Sequence, residues 1–216
     1  MKIWTFVIGV GLALALFLFA QRHTEVAPLA SFHAIVDLTA SADPKDATRI
    51  DAPGRLIPGL WTVDQIPPER LVAPLVVLDV SSNATNDPDY LISVQDVSNW
   101  ERSHGQIPIG AVIMAHTGWE SRWKNALHLP GFSADAAKFL VEGRNAIGLG
   151  IDTLLLESGT SKQSATYQYA LAHGVYLLKN VANLDHVPAS GAIAMVAPTK
   201  LAGAAEGPVR LMALVP

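Results

Sequence analysis

The chain contains no cysteine, which removes disulfides, thiolate metal ligands, cysteine nucleophiles and a lipidated cysteine anchor from consideration. Charge is sparse as well. Fifteen Lys and Arg stand against 19 Asp and Glu, for a net charge of -4. Without a clustered basic face there is no electrostatic case for a nucleic-acid partner. Histidine occurs at 23, 33, 104, 116, 128, 173 and 186 and never in HxH, HExxH or HxxxH spacing, so scattered surface or loop roles are expected. Ser158 sits in LESGTS, not in GxSxG, and Gly148 and Gly150 sit in IGLGIDT, which lacks the third glycine of a dinucleotide loop. Asp87 to Tyr90 read as a turn. Trp61, Trp100, Trp119 and Trp123 either line an aromatic pocket or pack the core.

What is present is apolar residue in quantity. Half of the 216 residues are hydrophobic, enough for one sizeable core and one globular domain. Ile3 to Ala20 carries no charge and is bounded by Lys2 and by Gln21 to Glu25. As a helix it spans about 27 Å, at the short end for a hydrocarbon core of about 30 Å. Residues 1–20 are therefore expected to be a signal anchor or a signal peptide, with Leu18 making a poor small-x-small cleavage site. Either fate exports the domain to a periplasmic or extracytoplasmic location, with membrane contact through residues 3–20 if the segment is kept. Residues 21–31 form a linker, and the domain occupies 32–216.

Short aliphatic runs read as strands at 33–38, 75–80, 111–115, 151–156, 175–178, 193–197 and 209–214, and their continuous apolar character implies cover on both faces. Helix signals lie between them. Ser93, with Asp96 three residues on, opens one over 94–102. Ser133 opens another over 134–142, and a third runs from about Lys162 to Ala172, stopping near Gly174. The fold class is α/β. Residues 40–74, rich in Pro and Gly, lack periodicity, and loops of that length in a compact domain are usually functional.

Several segments taken in order resemble the cyclase family, whose best-known members are the bacterial kynurenine formamidases (arylformamidases). They are HAIVDLT near residue 33, IPPERLVAPLVVLDV at 66–80, IPIGAVIMAHTGW at 107–119, LPGFSADAAKFL at 129–140, IGLGIDTLLLESG at 147–159, VANLDHVP at 181–188 and GPVRLMAL at 207–214. The resemblance implies a swivelling β/β/α fold, amide or formamide hydrolysis with bound zinc or manganese, and association into homo-oligomers. It also implies a loop of the form His-x-Gly-Thr-His-x-Asp-x-Pro-x-His, which here falls on Lys45 to Arg55. Thr48, Asp51 and Pro53 match. Lys45 and Arg49 stand where the resemblance implies ligand histidines, Ala47 where it implies glycine, and Arg55 where it implies the catalytic histidine. A later His and Glu pair falls on Tyr167 and Lys179, and His116 replaces an Arg before Thr-Gly-Trp.

Ammonium and guanidinium groups offer no electron pair to a divalent ion. Of the implied metal and catalytic positions only Asp51 is kept, so no metal and no cofactor are expected, and inherited hydrolysis should be lost. Arg55, protonated at any ordinary pH, cannot serve as a general base. The two Lys and two Arg bring about the charge of the two divalent ions they replace. One reading is a pseudoenzyme that binds a small anion through Lys45, Arg49, Arg55, Tyr167 and Lys179. Another is that Asp51 simply salt-bridges some of these cations on a solvated loop. A third is a working hydrolase of a formamide, amide or lactone, rebuilt from Asp51 with Lys179 or Lys45.

Overall fold

Alternation along one strand explains why the apolar runs are continuous. In β3 (Val72–Asp79), Leu75 and Val77 face one buried cluster while Val76 and Leu78 face another, as side chains on opposite faces of a pleated strand must. Each face of the sheet therefore needs apolar residues. The computed structural model describes residues 32–40, 47–119, 128–159 and 164–216. The expected N-terminal segment, the linker at 21–31, Lys45, Trp123 and Lys162 lie outside the described residues. Among the described residues no helix is long and apolar enough to cross a membrane.

The strands in chain order are β1 (Ala34–Asp37), β2 (Arg49–Asp51), β3, β4 (Leu91–Ile92), β5 (Val112–His116), β6 (Gly131–Phe132), β7 (Gly148–Ile151), β8 (Tyr176–Lys179), β9 (Ile193–Pro198) and β10 (Glu206–Val215). The helices are α1 (Ser81–Asn86), α2 (Val94–His104), α3 (Ala134–Arg144) and α4 (Ala165–Ala172). Eight strands form one sheet in the order β1-β10-β2-β8-β7-β5-β3-β9, and β9 also pairs with β10, so the sheet closes on itself like a barrel. The run β8-β7-β5-β3 is parallel. Ten-residue β10 is shared: β2 pairs with Glu206 to Pro208 and β1 with Met212 to Val215 on one edge, while β9 takes the other.

One cluster joins Leu75, Val77, Val112, Met114, Leu178 and Leu211 on the face enclosed by the closing strands. The other lies under α2, α3 and α4, where Val97, Trp100, Leu140 and Leu171 cover Val76, Ile113, Leu149 and Leu177. The Ser93 cap forms as expected, with its side chain accepting from the Asp96 N–H and Asp96 returning a bond to the Ser93 N–H. Ser133 caps α3 in the same sense.

The strand expected at 151–156 is corrected. The strand is β7, ending at Ile151, because Asp152 and Thr153 turn the chain. The buried Asp152 carboxylate accepts from the N–H groups of Thr117, Gly118 and Trp119 and from the Thr117 hydroxyl, and Thr153 Oγ1 donates to the Leu155 carbonyl. Gly148 and Gly150 lie within the strand, where a Cβ at 148 would stand 2.4 Å from Tyr176 Cε2 and one at 150 would stand 2.9 Å from Met114 Cγ. They are packing residues. The expected long loop also contains β2, three residues too short to leave a period in the sequence.

Candidate active site

Arg49, Ile50 and Asp51 form a central strand between β8 and β10. Arg49 stands opposite Lys179 on one side and Pro208 on the other, and Asp51 opposite Leu177 and Glu206. Residues two apart share a face, so Arg49, Asp51, Lys179 and Glu206 project together, with opposite charges on the diagonals. The diagonals close as ion pairs. Lys179 Nζ lies 2.7 Å from Asp51 Oδ2, and Arg49 lies 3.5 Å from Glu206 Oε1.

Two further elements complete the cluster. Arg55 leaves the short turn Pro53–Arg55 and reaches Asp51 Oδ1 at 3.5 Å while also pairing with Glu206. Tyr167, in the first turn of α4, donates its hydroxyl to Asp51 Oδ2 at 2.9 Å. Burial, then the neighbouring Asp51 charge, push the Tyr167 phenol well above its ordinary range, so it acts as a donor. Asp51 has no exposed surface, and its two oxygens face three donors. Thr48 fixes the loop that leads into β2: its hydroxyl donates to the Asn180 carbonyl at 2.6 Å and accepts from the Ala40 N–H at 2.7 Å.

A cavity of about 330 Å3 opens beside this cluster, within the roughly 300–1,000 Å3 of small-molecule sites. Its lining combines Arg55, Lys179 and Glu157 with Leu56, Leu155 and Leu156. The Glu157 carboxyl is raised above its ordinary value by burial, against the pull of the Tyr167 N–H that it accepts at 2.7 Å. A larger cavity of about 450 Å3 lies beside His116, Asp152 and Asn183, but its ionisable groups are engaged. Asp152 is held by the Thr117–Trp119 backbone, and His116 lies 3.3 Å from Asp79.

Asp51, Arg55, Tyr167 and Lys179 therefore converge on one site, with Arg49 joined through Glu206. Asp51 pairs with both Arg55 and Lys179 and Arg49 pairs with Glu206; the Asp51 side chain is fully buried and that of Lys179 is 15% exposed. Among the described residues three cations face the two carboxylates Asp51 and Glu206. Glu206 and Glu157 escaped the sequence reading; a charged residue at the head of the 206–215 run was the only signal for the first, and burial beside α4 supplies the second. Among the described residues no tryptophan lines this cavity. Trp100 Nε1 donates to the Val77 carbonyl in the core, Trp61 stacks under Arg70, and Trp119 is buried.

The donor set does not fit a divalent metal. Asp51 Oδ2 is taken by an ammonium and a phenol, and the neighbouring implied ligand positions carry cations. Among the described residues no group of three His, Asp or Glu is arranged to hold one.

The family model described as putative cyclase matches residues 16–158. The chain is 32% identical to an isatin hydrolase of Roseibium aggregatum over 187 residues, 78% of this chain and 71% of that protein. Among solved structures it is similar to isatin hydrolase A from Labrenzia aggregata bound to benzyl benzoate, at 28% identity and a TM-score of 0.78, covering 84% of this chain and 93% of the other. It is also similar to an isatin hydrolase bound to the product analogue thioisatinate, at 26% identity and a TM-score of 0.73, covering 84% and 82%.

Proposed function

Because the chain belongs to the cyclase family, we propose that it is a member whose metal-dependent hydrolysis has been replaced by binding of a small carboxylate-bearing ligand. The observation that carries this is that Arg55 and Lys179 line one cavity together with Leu56, Leu155 and Leu156. Lys179 has three N–H donors and uses one on Asp51; Arg55 has five. Donors left over on these two cations suit a carboxylate, and Leu56, Leu155 and Leu156 in the same lining suit an apolar body. The related isatin hydrolase bound to thioisatinate, an anion, supports the same ligand polarity.

No metal step enters this reading. The chain's own residues bind and orient: Tyr167 and Lys179 hold Asp51, and Asp51 with Glu206 holds Arg55 against the cavity. Calorimetric titration with 3-phenylpropanoate tests the proposal. Saturable binding weakened at least tenfold in R55Q is expected, and no binding at millimolar ligand refutes it. Elemental analysis of protein purified without chelator should find no stoichiometric zinc or manganese. One equivalent of either would overturn the metal-free reading.

The rival reading, a rebuilt hydrolase of a formamide, amide or lactone, draws on the similarity to isatin hydrolases over most of the chain. Against it, Asp51 is enclosed by its three donors and presents no free base to the cavity. Isatin and an aryl formamide are the probes. Turnover above buffer that disappears in K179M would favour the hydrolase.

The proposal also covers location and assembly. An exported domain held to the membrane by residues 3–20 predicts recovery in the alkali-resistant membrane fraction, and a homo-oligomer predicts a mass in light scattering above the 23.0 kDa chain.

A further inference from the structure

The cations of the cavity do not stand alone. Glu157 lines the same space as Arg55 and Lys179, and it reaches that place from a different element, the turn after β7, while Arg55 follows β2 and Lys179 ends β8. One of its oxygens, Oε1, accepts the Tyr167 N–H at the head of α4. That is its one hydrogen bond among the described residues, and a carboxylate accepts about four. The other polar groups lining this space are Ser164, Tyr167 and Gln168 from the α4 segment, Lys179 from β8 and Arg55 from the turn after β2, and neither cation is within ion-pairing distance of Glu157.

Counted with Glu157, the three cations Arg49, Arg55 and Lys179 meet the three carboxylates Asp51, Glu206 and Glu157. A space lined by two cations and by a carboxylate that is not ion-paired to either matches a ligand that itself carries both signs. A simple anion would satisfy Arg55 and Lys179 and be repelled by Glu157. A ligand with both signs satisfies all three.

Resting on the carboxylate-binding reading above, we infer that this site selects an amino-carboxylate: a small zwitterion whose carboxylate meets Arg55 and Lys179, whose ammonium meets Glu157, and whose apolar side chain lies on Leu56, Leu155 and Leu156. Glu157 is then the specificity-determining residue. Burial of its carboxyl, which raises its proton affinity, is a cost that an ammonium partner removes.

The matched probes are L-phenylalanine and 3-phenylpropanoate, which differ only in the amine. On the full chain, phenylalanine should bind about tenfold more tightly, equivalent to about 1.4 kcal/mol. E157Q keeps the acceptor for the Tyr167 N–H and removes the charge, so it should bring the ratio to about one without weakening 3-phenylpropanoate. If 3-phenylpropanoate binds and the amine brings no gain, the amino-carboxylate inference fails while the carboxylate site stands. If the amine gain persists in E157Q, Glu157 is not its source and the inference likewise fails. If neither probe binds wild type at millimolar concentration, the carboxylate-binding reading fails and takes this inference with it.

Discussion

Replacing Lys179 by methionine keeps the length and apolar stem of the side chain and deletes its charge, which tests whether the cluster is an ion-pair network built around Asp51. Asp51 is fully buried, with Lys179 at 2.7 Å, Tyr167 at 2.9 Å and Arg55 at 3.5 Å. Removing one partner of a buried pair costs roughly 3–5 kcal/mol, because the remaining charge is left without compensation. Arg55 and Tyr167 persist in K179M, so the lower end applies, about 3 kcal/mol. For a domain of about 185 residues (Phe32–Pro216) this is a fall in Tm of about 6–12 °C. D51N should cost a comparable amount, since it leaves Lys179 without its carboxylate. The double variant D51N/K179M removes both charges and should be more stable than the sum of the single losses predicts, by about 2 kcal/mol. Urea unfolding of the four proteins at pH 7 closes the cycle. Additive losses, or a K179M cost below about 1 kcal/mol, would refute the network.

Three further outcomes follow from the geometry. E157Q should raise stability at neutral pH: burial raises the folded-state pKa of Glu157, so ionised Glu157 destabilises the fold above that pKa, and thermal melts of mutant and wild type should converge below the unfolded value of about 4.3. Arg144 holds Glu101 through two bonds of 2.6 and 2.8 Å that tie α3 to α2 and lowers the Glu101 pKa; its stabilisation is present above the unfolded pKa and lost as pH falls through the lower folded value, so R144M should cost about 1–2 kcal/mol at pH 7 and little near pH 2 by chemical denaturation. A Cβ at Gly131 would stand 2.3 Å from the Glu157 carbonyl carbon and 2.6 Å from the Ser158 nitrogen; because these are backbone atoms the strain cannot be relieved by a rotamer, and G131A should cost about 1–3 kcal/mol and weaken ligand binding by displacing Glu157, whereas unchanged melting and binding would show that the turn shifts freely.

The strands and capped helices were legible because their signals are local. Apolar runs marked β3, β5, β8, β9 and β10, and Ser93 and Ser133 marked helix starts. The strand at 151–156 misread because apolar content alone does not reveal a turn organised by Asp152 reaching back to residues 117–119. At the site, the replacements at Arg49, Arg55, Tyr167 and Lys179 were visible from the resemblance of ordered segments, and Asp51 stood out as the position kept. That Arg49, Arg55 and Lys179 offer no electron pair to a metal at ordinary pH follows from residue type alone.

What the sequence by itself determined is the α/β class, the two-sided burial of the strands and the cationic character of positions 49, 55 and 179, since each depends on residue identity and near neighbours. Only the tertiary structure decided that Asp51 and Lys179, 128 residues apart, form a buried pair, that Glu206 offsets the cations, and that Glu157 lines one cavity with Arg55 and Lys179. Those facts depend on strand register, with β2 laid between β8 and β10. Register places charges from distant segments on one face, and no local pattern in the chain encodes it.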